Sequence, residues 1–133
     1  MKRAWLLVFV LAACDSPTDH ATAVDMQGEW TYHATQTTPV LDMAGALIIS
    51  DQQGASFTGT AQLTETDVQG TQRTRLAVLS GRMVGGDVAD MDLYVDTQVR
   101  RHVARLVADS MSGTWSVTGA TIASGTFTAR RVP

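Results

Sequence analysis

The chain has 133 residues with ten basic and thirteen acidic side chains, a formal charge of −3, and its length suits one domain with its own core. That mild acidity excludes a nucleic-acid binder, which would carry a basic patch or stripe. A single cysteine, Cys14, excludes a disulfide framework and a cysteine-based zinc site built within one chain.

In chain order the first element is a leader. Lys2 and Arg3 form a short positive start, and the apolar run from Ala4 to Ala13 fits the hydrophobic region of a signal peptide. It falls far short of the ~20 residues needed to span a bilayer. The segment Leu11-Ala12-Ala13-Cys14 resembles the lipobox of bacterial lipoproteins: a branched residue, two small ones, then cysteine. The resemblance implies that Cys14 carries covalent lipid, that residues 1–13 are removed as a signal peptide, and that the new N-terminus is acylated. Removal would leave eight basic residues against thirteen acidic ones and a charge of −5, so lipid and not electrostatics would hold the protein on a membrane. One myristoyl-class chain binds a bilayer only marginally, with a partition constant of about 10⁴ M⁻¹. A fully processed lipoprotein carries more than one. The expected address is the cell envelope, anchored to a bacterial membrane and facing the periplasm. Asp15, directly after Cys14, resembles the inner-membrane retention signal of enterobacterial lipoproteins. That rule does not extend to all bacteria, so inner and outer membrane both stay open.

Residues 14–27 form the lipidated N-terminus and a linker. The stretch DSPTDHATAVDMQ is polar, contains proline and has no period, as expected of a disordered tether that holds a domain clear of headgroups. His20 within it reads as solvated.

From Gly28 to the end, residues 28–133, the pattern changes to alternation with threonine, valine and glycine. In Phe57-Thr58-Gly59-Thr60-Ala61-Gln62-Leu63-Thr64 the odd positions share one face and threonine or glutamine the other. Met111, Gly113, Trp115 and Val117 repeat this pattern, as do Gly125, Phe127 and Ala129. Further strands are expected at residues 29–37, 43–50, 75–84, 87–96 and 100–109, making eight. The separators suit hairpins: Gly85-Gly86 as a two-residue turn, residues 51–54 and 119–122 as short loops, and residues 65–74 as the longest. None can hold a crossover helix, so the fold class is all-β, an eight-stranded antiparallel up-and-down β-barrel, closed to remove its edges. Gly59, Gly81, Gly113 and Gly125 inside strands supply the bends that a small barrel needs.

Two further features point to a family. Gly28-Glu29-Trp30 at the start of the first strand and Arg130-Arg131 at the end of the last resemble the calycin group of lipocalins, avidins and small bacterial metalloprotease inhibitors. There the tryptophan plugs the closed end and a terminal arginine packs over its ring, so the resemblance implies a cation-π pair of Trp30 with Arg130 or Arg131. It covers the barrel region in architecture and only a handful of residues in sequence. The chain is shorter than typical lipocalins and shows no C-terminal helix, which places it nearer to avidin-sized and lipocalin-like lipoprotein barrels.

No Ser-His-Asp set with a nucleophile elbow, no HExxH and no paired cysteines occur, and His33 and His102 have no catalytic partner beside them in sequence. The chain therefore reads as non-enzymatic, with no cofactor besides the lipid on Cys14. The acidic stretch from Asp87 to Asp96 lacks the glycine and terminal glutamate of a calcium loop. It reads instead as one side of a charged hairpin ladder. A turn at Thr97-Gln98 sets Asp90 against Arg105 and Tyr94 against Arg101; a four-residue loop sets Asp92 against Arg105 and Asp96 against Arg101.

Trp30, Tyr32, Phe57, Met91, Leu93, Leu106, Met111, Trp115 and Phe127 carry the inward parity. Small residues at Gly59, Ala61, Ala89, Ala104, Ala108, Gly113 and Ala129 lie among them. Barrels of this size either fill with side chains or hold one small ligand, and both readings stay open. For a small apolar or amphiphilic ligand, the expected lining is Trp30, Tyr32, Phe57, Met91, His102, Trp115 and Phe127. The alternative is an envelope protein-interaction module or a protease-inhibitor-like barrel, whose partner, not identifiable from sequence, would meet residues 65–74.

Overall fold

The period-two alternation becomes eight strands in the computed structural model, which describes residues 24–119 and 122–133. The leader, Cys14 and residues 14–23 of the expected linker lie outside that range. The strands are β1 (Gly28–Thr37), β2 (Val40–Gln53), β3 (Ser56–Asp67), β4 (Gln72–Val84), β5 (Val88–Val95), β6 (Gln98–Val107), β7 (Ser110–Val117) and β8 (Ala123–Arg131). Each pairs antiparallel with its sequence neighbour, and β1 pairs with β8 to close the barrel. Closure satisfies both edges that an open sheet of this length would expose.

Several connections are tighter than expected, because the strands run further than their alternation suggests. β2 continues through a register shift between Ile49 and Asp51 to Gln53, which faces Ser56, so only Gly54 and Ala55 turn the chain. β3 and β4 extend to Asp67 and Gln72, cutting the longest predicted loop to residues 68–71. The Gly85-Gly86 connection takes in Asp87 as a third residue, since Val84 faces Val88; both glycines have positive φ, 67° and 94°. Ala108, expected to point inward, sits instead in an exposed turn at φ 52°.

The β5–β6 register also differs from both expected forms. Asp96 takes a positive φ of 52°, so Asp96 and Thr97 make the turn, Asp92 faces Arg101 and Tyr94 faces Val99. Opposite charges still meet on the outer wall, with Arg101 donating to Asp90 at 2.9 Å and Arg105 3.9 Å from Asp87. Such exposed pairs contribute only a few tenths of a kcal/mol, roughly.

Two glycines show how sharply the strands coil. A Cβ on Gly59 would lie 1.9 Å from the Ile48 carbonyl oxygen, and one on Gly125 would lie 1.6 Å from that of Thr35. Backbones crossing this closely admit only glycine.

One end of the barrel is sealed. Trp30 and Met26 are fully buried, and the Trp30 Nε1–H donates to the Met26 carbonyl at 3.0 Å. Gln52 clamps the entering chain, accepting from the Met26 N–H and donating to the Val24 carbonyl, both at 2.7 Å. Residues 24–27, read from sequence as the end of the linker, are thus part of the plug. Of the two candidate arginines, Arg131 covers Trp30, its Cζ 4.5 Å from the ring centroid. Its guanidinium also donates to the Gln27 and Asp25 carbonyls.

Candidate functional site

Strand tilt makes a cross-strand row of inward residues climb as it circles the barrel. One such row runs Phe57, Gly81, Met91, His102, Trp115, Gly125, Gln36. It starts beside the sealed end and finishes at the open one. The seven residues expected to line a site are all buried, yet they do not converge. Trp30 belongs to the plug, Phe57 and Met91 pack against the glycine gap at Gly81, and Tyr32, His102, Trp115 and Phe127 form a single cluster above them.

That cluster is held by ring contacts and three hydrogen bonds, one of them from Trp115 Nε1 to the Thr35 carbonyl at 3.2 Å. Tyr32 stacks on Phe127 with centroids 5.7 Å apart, the His102 ring meets Phe127 edge-on at 4.8 Å, and it stacks on Trp115 at 6.4 Å. His102 Nδ1 lies 2.9 Å from the Arg100 carbonyl, which can only accept, so Nδ1 carries the proton. Nε2 then accepts from the Tyr32 hydroxyl at 2.8 Å. Burial lowers the His102 pKa to about 4; the bond to the Arg100 carbonyl opposes that shift, and the Arg100 charge adds to it. The Tyr32 hydroxyl is pushed well above its usual range by burial, partly offset by the Arg100 charge.

Nearer the mouth, charged side chains point inward. Arg100 and Glu65 are both buried, with Arg100 Nη2 donating to Glu65 Oε1 at 2.6 Å. Arg100 Cζ lies 6.0 Å from the Trp115 ring centroid, and its Nη1 reaches only the Met43 sulfur, at 3.3 Å. Arg75 Nε lies 3.7 Å from Glu65 Oε2 and its Nη1 donates to Asp96 at 3.0 Å. Gln36 caps the rim by donating to the Pro39 carbonyl at 3.0 Å.

Sequence reading missed this polar group, although parity held the signal. Glu65 continues the inward series 57, 59, 61, 63; Arg100 belongs with 102 and 104; Arg75 belongs with 77 and 79. Glu65, expected in a loop available to a protein partner, lies inside the barrel, whereas residues 66–74 stay at least partly exposed as the ends of β3 and β4 and the turn between them.

The middle of the barrel is filled, with Leu47, Leu63, Leu79, Met91 and Leu93 essentially without exposure. The principal cavities among the described residues lie outside it. One of about 470 Å³ sits on the outer wall around His33, Arg105 and Arg130, and another of about 500 Å³ lies over Ile48, Leu76, Val78 and Tyr94. A smaller one of about 130 Å³ lies at the mouth, lined by Arg75, Val95, Asp96, Thr97, Gln98 and Arg100. His33 faces solvent and bonds Asp42 at 2.8 Å.

No protein-family model matches the chain, and none of the curated proteins searched matches it. Among solved structures, the chain is similar to the barrel EF1p2_mFAP2b bound to DFHBI, with TM-score 0.69 and 14% identity over 80% of this chain and 93% of that one. It is also similar to mFAP1, a redesigned β-barrel bound to DFHBI, with TM-score 0.64 and 16% identity over 79% and 94%. A third likeness is to a barrel from the de novo design of a fluorescence-activating β-barrel, with TM-score 0.59 and 9% identity over 80% and 93%. At these identities the likeness establishes the barrel fold.

Proposed function

We propose that the protein is a lipid-tethered barrel of the bacterial cell envelope that holds a small apolar or amphiphilic molecule at its open end and catalyses no reaction. The observation that carries this reading is the asymmetry of the lumen. One end is sealed by Trp30, Met26 and Arg131, whereas the other sets an aromatic floor of Tyr32, His102, Trp115 and Phe127 beneath inward-facing polar side chains. Apolar walls with a few convergent polar groups are the usual make-up of a small-molecule site. Two barrels of this fold are described as bound to DFHBI, which supports a barrel of this size accepting a small molecule.

Because the lumen is filled, the ligand enters by moving side chains at the mouth. Met43 is the most deformable of them. A non-catalytic role fits the only buried imidazole among the described residues, since both ring nitrogens of His102 are engaged and neither is free to take a proton from a substrate. The lipid tether rests on the segment from Leu11 to Cys14.

Tryptophan emission titrated with a lipid panel tests the proposal. A saturable change is expected that persists in Trp30→Phe and is lost in Trp115→Phe. A flat response to every member of the panel would sink it.

A further inference from the structure

We propose that the mouth of the barrel binds the anionic head, a carboxylate or phosphate monoester on an apolar tail, of an amphiphilic molecule, gripped by Arg75 and Arg100 where Glu65 now lies. This deepens the ligand-carrier reading and rests on it. A buried ion pair is an unpromising way to stabilise a fold, since well-packed apolar residues do at least as well. The Glu65–Arg100 pair therefore needs a reason besides folding.

The unmet donors of the two arginines supply one. Each guanidinium offers five N–H groups, but here the two guanidiniums share one buried carboxylate, Glu65, and only Arg75 has a second, exposed one, Asp96, 3.0 Å from its Nη1. Arg100 Nη2 uses Glu65 Oε1, while Arg100 Nη1 reaches only a thioether sulfur, a weak acceptor. Arg75 Nε is buried and makes no hydrogen bond, 3.7 Å from the other carboxylate oxygen. Both arginines also line the mouth cavity of about 130 Å³, which borders Asp96 and not Glu65; its size admits a compact oxyanion on its way to the arginines and not a tail. Trp115 lies directly beneath Arg100, so the atoms following the head would meet an aromatic face. An incoming oxyanion replaces the Glu65 carboxylate and can satisfy the donors that Glu65 leaves unmet, forming charge-assisted bonds for which either guanidinium offers a bidentate fork. Glu65 thus acts as an internal competitor for the site.

The test uses the full-length chain with Cys14→Ser, which removes the proposed lipid site, and three probes: dodecanoate and dodecyl phosphate below their micellar concentrations and dodecanol below its solubility limit. Isothermal titration is expected to show at least one anion binding about tenfold or more tighter than the alcohol, as charge-assisted hydrogen bonds imply; the tighter anion identifies the head. Arg75→Gln removes most of that preference and leaves dodecanol unchanged. Glu65→Gln enlarges it. Arg75 is about one-third exposed, so its variant decides the matter if Glu65→Gln does not fold. Equal binding of anions and alcohol would overturn the head-group proposal while leaving the ligand-carrier reading intact. Binding of none of the three would overturn both.

Discussion

The Tyr32 hydroxyl donates to His102 Nε2 across 2.8 Å inside the barrel, joining β1 to β6 through the lumen. With the Arg100 carbonyl on the other ring nitrogen, the pair is stable only while the imidazole is neutral.

A pH dependence follows. The folded-state pKa of His102 is lowered to about 4, whereas an unfolded histidine titrates near 6.5. Between those values the unfolded chain binds a proton that the folded chain refuses, so stability falls as pH drops from about 6.5 to about 4 and this contribution levels off below. The loss is of the order of 3 kcal/mol, at about 1.4 kcal/mol per pKa unit. Urea unfolding at about pH 7 and about pH 4.5, values that bracket most of this window, should show it in the wild type, and His102→Gln, which cannot take up the proton, should lose less over the same interval. Equal losses would assign the effect to other groups.

The Glu65–Arg100 pair predicts a non-additive mutant cycle. Arg100→Met leaves a buried carboxylate without its closest partner, and such a change typically costs about 3–5 kcal/mol. The double variant Glu65→Leu with Arg100→Met removes both charges and should recover most of that loss. Additive losses in denaturant melts would mean that the pair is needed for the fold itself, weakening the case that it serves a ligand.

At the sealed end, Arg131 and Arg130 should behave differently. Arg131→Leu loses the contact with Trp30 and two carbonyl acceptors, and should cost about 2 kcal/mol or more. Arg130 is exposed, so Arg130→Leu should stay within about 0.5 kcal/mol of wild type. Thermal melts of the two variants compare them directly, and similar shifts would contradict the plug described here.

Much of this architecture was legible because period two is a strong signal. Phe57, Gly59, Ala61 and Leu63 could face only one way, and the barrel followed from eight such runs with no room for a helix. What escaped depends on contacts distant in sequence. Met26 is buried because Trp30, Gln52 and Arg131 capture the backbone around it, and no local pattern marks that. Glu65 and Arg100 obey strand parity, but their charge suggests solvent until each supplies the other's counter-ion. The β5–β6 register turned on Asp96 adopting a left-handed conformation, which an aspartate can do at modest cost. A shift in hairpin register of this kind is enough to exchange ion-pair partners along the whole ladder.

The tether makes its own prediction. Cys14→Ala removes the proposed site of lipid attachment and should move the protein from the membrane to the soluble fraction on cell fractionation. A variant that still sediments with membranes would rule out Cys14 as the anchor.

Native mass spectrometry of the protein extracted from its own membrane reads the tether and the ligand together. The expected species is a polypeptide beginning at Cys14, heavier than its sequence by covalent lipid, carrying a non-covalent small molecule that leaves on mild activation. A bare polypeptide mass, with neither lipid nor companion, would contradict the proposal of a lipid-tethered ligand carrier.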